Sequence, residues 1–325
     1  MAPPSGAAEW RDRHVVCDDP SMTPGDRAAQ PAASIAQLRG DLAGVRALLL
    51  DMDGVLVMRG EPIPGAAEAL AGLDARGIPY LLATNTSLVS RATLARDLGR
   101  VGLPVPADRI VSAASAAAAH VRRRFGQEPL YVMVAPDALE EFQGLRLLSY
   151  DEAALPDARV AAVVVGDAAE EFTPRNMQSA FALLRGGARF VAMHKNRWWL
   201  TPAGATLDAG AYVVGLEYVT QRRALVAGKP SRTFFAECVR GLEELAVAGG
   251  RGGHAAHLSP GEVAMVGDDL WNDVLGAQKA GLRGVFVRSG KHGEVELAQV
   301  TAERGGRAPD AVAVSIVEIV AAMAS

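Results

Sequence analysis

Two carboxylates close the apolar run Ala47-Leu48-Leu49-Leu50: Asp51 and Asp53, one residue apart, with Gly54 directly behind them. Placed that close and unpaired, they would raise one another's pKa unless a cation offset the repulsion. A divalent metal is the simplest remedy, and carboxylate, main-chain carbonyl and water oxygens suit Mg2+. Gly54 lets the chain turn sharply at no steric cost. Two plainer readings stand beside this one, a polar turn and a calcium loop. The EF-hand version fails, because Gly54 comes too early in the pattern and no glutamate sits where the bidentate ligand is needed.

Three further stretches have the same form, an apolar run ending in polar residues. In PYLLATNTS the run ends in Thr84, Asn85 and Thr86, whose hydroxyl, amide and main-chain N–H groups could hold phosphate oxygens or start a helix. In VAGKPS, Lys229 stands at a strand end, yet this is no P-loop: Arg223 occupies the first glycine position and Pro230 the Ser/Thr position. In VAMVGDDLWNDVLGAQKAG the run delivers Asp268 and Asp269, and Asp273 follows within the first turns of the next helix. Three acids that close suit a metal ligand and its supporting partners, or, for Asp269 and Asp273, a helix start.

The elements that must position these residues follow from periodicity. ALLLD, PYLLATN and RIVSA alternate with the helix-like AAEALAGLDARG and RATLARDLGRVG. The alternation returns with ALVAGK, SRTFFAECVRGLEEL, VAMVGDD, NDVLGAQKAG and GVFVRSG. Short buried strands separated by amphipathic helices predict βαβ units, hence an α/β fold with a doubly wound parallel sheet, interrupted once. In such a sheet ligands bind beyond the carboxyl ends of the strands, so all four polar endings belong on one edge. The core is assigned to residues 44–113 and 223–325. Residues 114–222 carry their own strand candidates, PLYVMVA, ARVAAVVVG and ARFVAMH, and the helix candidate RNMQSAFALLRGG, enough for an inserted α/β domain. Residues 1–43, rich in Ala, Pro, Ser and Gly, predict a mostly disordered extension. AGGRGGH (248–254) follows a helix and precedes none, so it reads as a surface loop rather than a dinucleotide fingerprint.

The 325 residues, 50% hydrophobic and 22% charged, can bury a large core, and a formal charge of -4 offers no field for nucleic acid. Arg122-Arg123-Arg124, the densest basic cluster, reads as the solvated end of a helix. Cys17 and Cys238 stand far apart, without a C-x-x-C pair or a disulfide framework. There is no apolar stretch of the roughly eighteen residues a membrane helix needs, and no apolar signal-peptide core at the N-terminus. The expectation is a cytoplasmic protein with neither membrane nor nucleic-acid partner.

Taken together, the four stretches resemble the four motifs of the haloacid dehalogenase superfamily of phosphotransferases, in the same order. The insertion resembles the larger cap domain of its class IIA members. More narrowly, HKNRWW (194–199), GKPSRTFF and GDDLWNDVLGAQKAG resemble the phospholysine phosphohistidine inorganic pyrophosphate phosphatase-like hydrolases of that class. The resemblance covers about residues 45–325. It implies a Mg2+-dependent phosphatase for a small phosphorylated molecule, with a phosphoamide or pyrophosphate as the narrower guess. Asp51 would be the nucleophile that forms an aspartyl-phosphate, and Asp53 the proton donor and later the base. Thr84 and Lys229 would hold the transferring group. Mg2+ would be bound by the Asp51 carboxylate, the Asp53 carbonyl and Asp268, with Asp269 and Asp273 supporting them. The presence of Asp53 favours phosphoryl chemistry over carbon–halogen cleavage. His194, Lys195 and Arg197 become candidates for the leaving group. The alternative is that Trp198 and Trp199 pack in the cap while the charges face water. Tyrosines commonly follow that arginine in the relatives, so specificity here is open to change. Relatives of this class often pair through their caps, which makes a homodimer an expectation by resemblance. Two rival readings use the same strand ends, a phosphoaspartate receiver module and a catalytically idle binding protein. Against the first stand the DMDG pair and the hundred-residue insertion; against the second, every chemical position is filled.

Overall fold

Alternate residues of the Ala47–Leu50 strand point into two different apolar clusters, and that alternation fixes the architecture. Leu48 and Leu50 pack with helices Ile35–Asp41, Ala66–Ala75, Arg91–Arg100 and Ile316–Ala322, while Ala47 and Leu49 pack with helices Arg232–Ala248 and Gly276–Ala280. A strand buried on both faces reads as an unbroken apolar run. Each leucine withdrawn from water there is worth about 2 kcal/mol. The computed structural model describes residues 34–201, 204–250, 257–302 and 306–323. The reading of residues 1–33, and most of the loop AGGRGGH, lie outside the described residues.

Six parallel strands form the main sheet, in the spatial order Ala311–Ala313, Arg283–Val287, Val263–Gly267, Ala47–Leu50, Tyr80–Thr84, Ile110–Ser112. The order reverses between Ala47–Leu50 and Val263–Gly267, which pair in register from Ala47–Val263 to Leu50–Val266. A doubly wound sheet opens its ligand crevice at that switch point, and Asp51 and Asp268 follow directly on the two strands that flank it.

A second parallel sheet runs Leu225–Val226, Arg189–Ala192, Ala162–Val165, Leu130–Met133. The helix Ala113–Phe125 covers one face, and the helices Pro174–Arg185 and Ala209–Thr220 cover the other. This corrects one expectation. The ALVAGK strand belongs to the edge of the second sheet, not to the main one, because Ala227 and Gly228 continue its pairing by donating to the carbonyls of Ala192 and Met193. Lys229 therefore reaches the main sheet's edge from the layer above.

Two smaller corrections follow. Residues 35–41 of the supposed extension are helical, and Leu38 is fully buried against the core. Arg123 does not simply face water: it forms a bidentate pair with Glu237, at 2.8 and 2.5 Å. No helix among the described residues is long and apolar enough to cross a membrane.

Candidate active site

Lys229 is the one buried cation shared by two carboxylates of the floor. Its Nζ lies 2.7 Å from Asp51 Oδ1 and 2.7 Å from Asp273 Oδ1, and only 4% of the residue is exposed. Burial pulls the ammonium down, but the charges of Asp273 and Asp51 outweigh it and hold it protonated, above its ordinary value. Asn85 fixes the backbone beneath: its Oδ1 accepts from the Lys229 N–H at 2.8 Å and its Nδ2 donates to the Lys229 carbonyl at 3.1 Å. The Asn85 side chain thus positions Lys229, with its oxygen and one amide N–H engaged, and the residue also lines the cavity.

Asp268 is wedged between backbones. A Cβ on Gly54 or on Gly290 would collide with its carboxylate, and Gly54 also sits at φ +77. One oxygen, Oδ2, accepts from the Lys291 N–H at 2.7 Å. Burial first, then the Asp51 charge, push its carboxyl up to about 7 against the pull of Lys291. Burial and Asp51 likewise push Asp53 up to about 7, against Lys229 and Lys291. Asp273, fully buried, is raised well above its ordinary value by burial and by Asp51, against Lys229. Asp269 goes the other way. Burial works against it, but Lys291 at 2.8 Å and the Asn272 N–H at 2.9 Å prevail and hold its carboxyl below the usual range.

Asp269 also starts the following helix, accepting from the Trp271 and Asn272 N–H groups with Oδ1, so the helix-start reading is right for it. That helix begins as a wide π turn over Leu270–Leu275, which aims Asp273 back at Lys229. Asp273 was expected only as a supporting residue. It lies with Asp51 and Asp268 in a cluster whose ligand atoms all fall within 4.8 Å of one another.

The donor set fits a hard dication. Asp51, Asp268 and Asp273 offer only oxygens, and burial and the Asp51 charge push the carboxyls of Asp268 and Asp273 up, the strain that a bound Mg2+ relieves. The sign can be worked out. A carboxyl whose folded pKa is raised adds stability at low pH and loses it as the pH climbs from its ordinary value near 4 through about 7. Protein stripped with a chelator should therefore lose stability between about pH 5 and 8. Added Mg2+ should raise the melting temperature by several degrees at pH 8 and far less at pH 5.5. Equal shifts at both pH values in differential scanning fluorimetry would contradict the site.

A cavity of about 550 Å3 joins this floor to a roof supplied by the second sheet. Thr84 and Thr86 enter from the main sheet with their hydroxyls 3.0 Å apart. Of the three basic candidates in HKNRWW, His194 and Arg197 line the cavity and Lys195 does not. Lys195 donates to Glu217 at 2.6 Å instead, so its assignment to the leaving group is withdrawn. Trp198 lines the mouth, 39% exposed; the Trp199 side chain lies outside the described residues.

His194 Nδ1 accepts from the Asn196 N–H at 3.4 Å, and Nε2 shares a hydrogen bond with Ser87 Oγ at 2.7 Å. Asp208 approaches that same nitrogen at 3.7 Å. A Ser-His-Asp nucleophile would need the acid on the other nitrogen, so this is not a catalytic triad. Ser87, Asp167, Asp208 and Lys291 also line the cavity and were missed. Asp167 and Lys291 had a usable signal, since each follows an apolar strand by a few residues, as Asp51 does.

Comparison with known proteins bears on what this geometry serves. Residues 48–147 match the family model of haloacid dehalogenase-like hydrolases, and residues 226–319 a second, HAD-hydrolase-like model. Haloacid dehalogenase-like hydrolase domain-containing protein 2 of Bos taurus is 34% identical over 248 residues, covering 76% of this chain and 86% of that protein. The chain belongs to the haloacid dehalogenase-like hydrolase family. The phospholysine phosphohistidine inorganic pyrophosphate phosphatase of Xenopus laevis is 33% identical over 256 residues, 77% of this chain and 85% of that one. Among solved structures, the p-nitrophenyl phosphatase from Archaeoglobus fulgidus superposes with a TM-score of 0.73 at 27% identity, over 85% of this chain and 98% of its own. The family assignment makes this chain an enzyme, a hydrolase, and sets aside the receiver reading.

Proposed function

We propose that this hydrolase is a Mg2+-dependent phosphatase that cleaves a small phosphorylated metabolite through an aspartyl-phosphate on Asp51. The observation that carries the reading is the Lys229 ammonium 2.7 Å from Asp51, buried at the sheet's switch point beside an acid held near neutrality. The named activities of the Xenopus and Archaeoglobus relatives support it.

The Asp51 carboxylate attacks phosphorus, forming the aspartyl-phosphate as the bond to the leaving oxygen breaks. Lys229 and the Thr84 hydroxyl balance charge on the phosphoryl oxygens. Asp53, protonated in a good share of molecules at neutral pH, gives its proton to the leaving oxygen. As a carboxylate it then takes a proton from water, which attacks the phosphorus and frees Asp51 and inorganic phosphate. Asp51, the Asp53 carbonyl and Asp268, with Asp273 beside them, would hold Mg2+, which supplies Lewis-acid charge stabilisation and orientation. His194 and Arg197 face the leaving group.

Purified protein should hydrolyse p-nitrophenyl phosphate with Mg2+, lose that activity in excess chelator and regain it on adding Mg2+. Undiminished turnover under chelator would end the metal-dependent reading. Because Asp53 must carry its proton to help a poor leaving group depart, kcat/KM for an alkyl phosphate should fall above about pH 7. The fall should be shallower for p-nitrophenyl phosphate, whose leaving group needs little protonation. Parallel pH profiles for the two substrates would rule out Asp53 as the acid. A substrate panel should include phosphoamides and pyrophosphate.

A further inference from the structure

The roof of the cavity carries two carboxylates, Asp167 and Asp208, with no lysine among the described residues paired to either; the basic groups that share the lining there are His194 and Arg197. Asp167 follows the strand Ala162–Val165 and is 7% exposed; Asp208 precedes the helix Ala209–Thr220 and is 5% exposed. Both line the cavity that holds Asp51 and Lys229. In each, one oxygen is used locally. Asp167 Oδ1 accepts from the Ala169 N–H at 2.9 Å, and Asp208 Oδ1 accepts from the Ala209 N–H at 2.6 Å. The second oxygen of each has no hydrogen-bond partner among the described residues.

The lysines of this region are engaged with other acids. Lys229 and Lys291 sit on the floor, paired with Asp51, Asp273 and Asp269. Lys195 is bound to Glu217, and Arg197 lies on the exposed rim. His194 Nε2 comes within 3.7 Å of Asp208 but makes its short contact, 2.7 Å, with Ser87 Oγ. Burial first, and then the neighbouring Asp208 charge, push the Asp167 carboxyl up against the pull of the Ala169 N–H and of His194. A turn or helix start needs only one side-chain oxygen, which Asn or Ser supplies at no charge cost. Two buried carboxylates that each leave an oxygen unbonded in the lining of the cavity that holds Asp51 point to a ligand that brings positive charge.

We propose that Asp167 and Asp208 form a subsite for a protonated amine on the leaving group, so that the substrate is an amine-bearing phosphate ester. The inference rests on the phosphatase reading and narrows it.

The test is a set of ω-aminoalkyl phosphates of increasing length, each compared with the alkyl phosphate of equal heavy-atom count and with its hydroxyalkyl counterpart. p-Nitrophenyl phosphate serves as the reference for turnover. At one chain length or more, kcat/KM for the amine should exceed that for both counterparts at least about tenfold. In Asp167→Asn and Asp208→Asn that ratio should fall below about threefold. The ratio is read within one preparation, so a variant that folds in part still reports it, and the two variants report separately. A wild-type ratio near one at every length, with p-nitrophenyl phosphate turned over, overturns the subsite alone. Persistence of the full ratio in both variants overturns the assignment to these residues. No turnover of any substrate, p-nitrophenyl phosphate included, overturns the phosphatase reading and the subsite with it.

Discussion

Asp51→Asn should lower kcat for p-nitrophenyl phosphate by at least about a thousandfold, because the amide has the carboxylate's shape and no nucleophilic oxygen. The fold should be retained. Lys229 keeps its ion pair with Asp273, and the backbone N–H of Met52, which donates to Asp51 Oδ1 at 2.8 Å, finds the same acceptor in the asparagine carbonyl. Rapid quenching of the wild type in acid should trap one acid-stable, hydroxylamine-labile phosphoryl group per chain. The variant should trap none. A variant retaining a tenth of wild-type kcat, or a label that maps to another residue, would exclude Asp51 as the attacking group.

Lys229→Met carries the second large effect, and it acts on stability as well as rate. Removing the cation leaves Asp51 and Asp273 facing each other in a buried site. Breaking one partner out of a buried ion pair costs about 3–5 kcal/mol. The cost has a pH signature. Without Lys229 the carboxyl of Asp273, already raised by burial, rises further, so its protonation relieves the repulsion at low pH and its ionisation restores it as the pH climbs. The deficit in urea-unfolding free energy should thus be smallest near pH 5 and largest near pH 8. Activity should fall at least about a hundredfold at every pH, since the transferring phosphoryl group loses its balancing charge. A deficit equal at pH 5 and pH 8 would mean that lost packing, not charge, explains the instability.

The floor of the site was legible in the sequence because its logic is local. Asp51, Thr84 and Asp268 each end or follow an apolar run, and a parallel sheet gathers such endings on one edge. What the sequence concealed depends on which sheet a strand joins. Leu225–Val226 is two residues long and partner-blind on its own, so nothing in ALVAGK says that it pairs with Arg189–Ala192 rather than with a core strand. The roof was harder still. Lys195 and Arg197 are two residues apart in one segment, yet one reaches into the cavity's lining and the other is turned to Glu217 by a contact twenty-two positions downstream. Asp208 reads as an ordinary helix start until the cavity is known, and Lys291 as an ordinary loop lysine until Asp269 appears beside it.

Up to Gly228 the chain is tied by its backbone to the second sheet; from Lys229 onward it is tied to Asn85 on the main one. The Gly228–Lys229 peptide is therefore one of two places where the chain passes between the layers, the other being Ser112–Ala113, and the ammonium that pairs with Asp51 hangs from it. Because Asn85 grips the Lys229 backbone on one side of that peptide and Met193 grips Gly228 on the other, the placement of Nζ against Asp51 is a joint product of both sheets, and neither alone completes the pair.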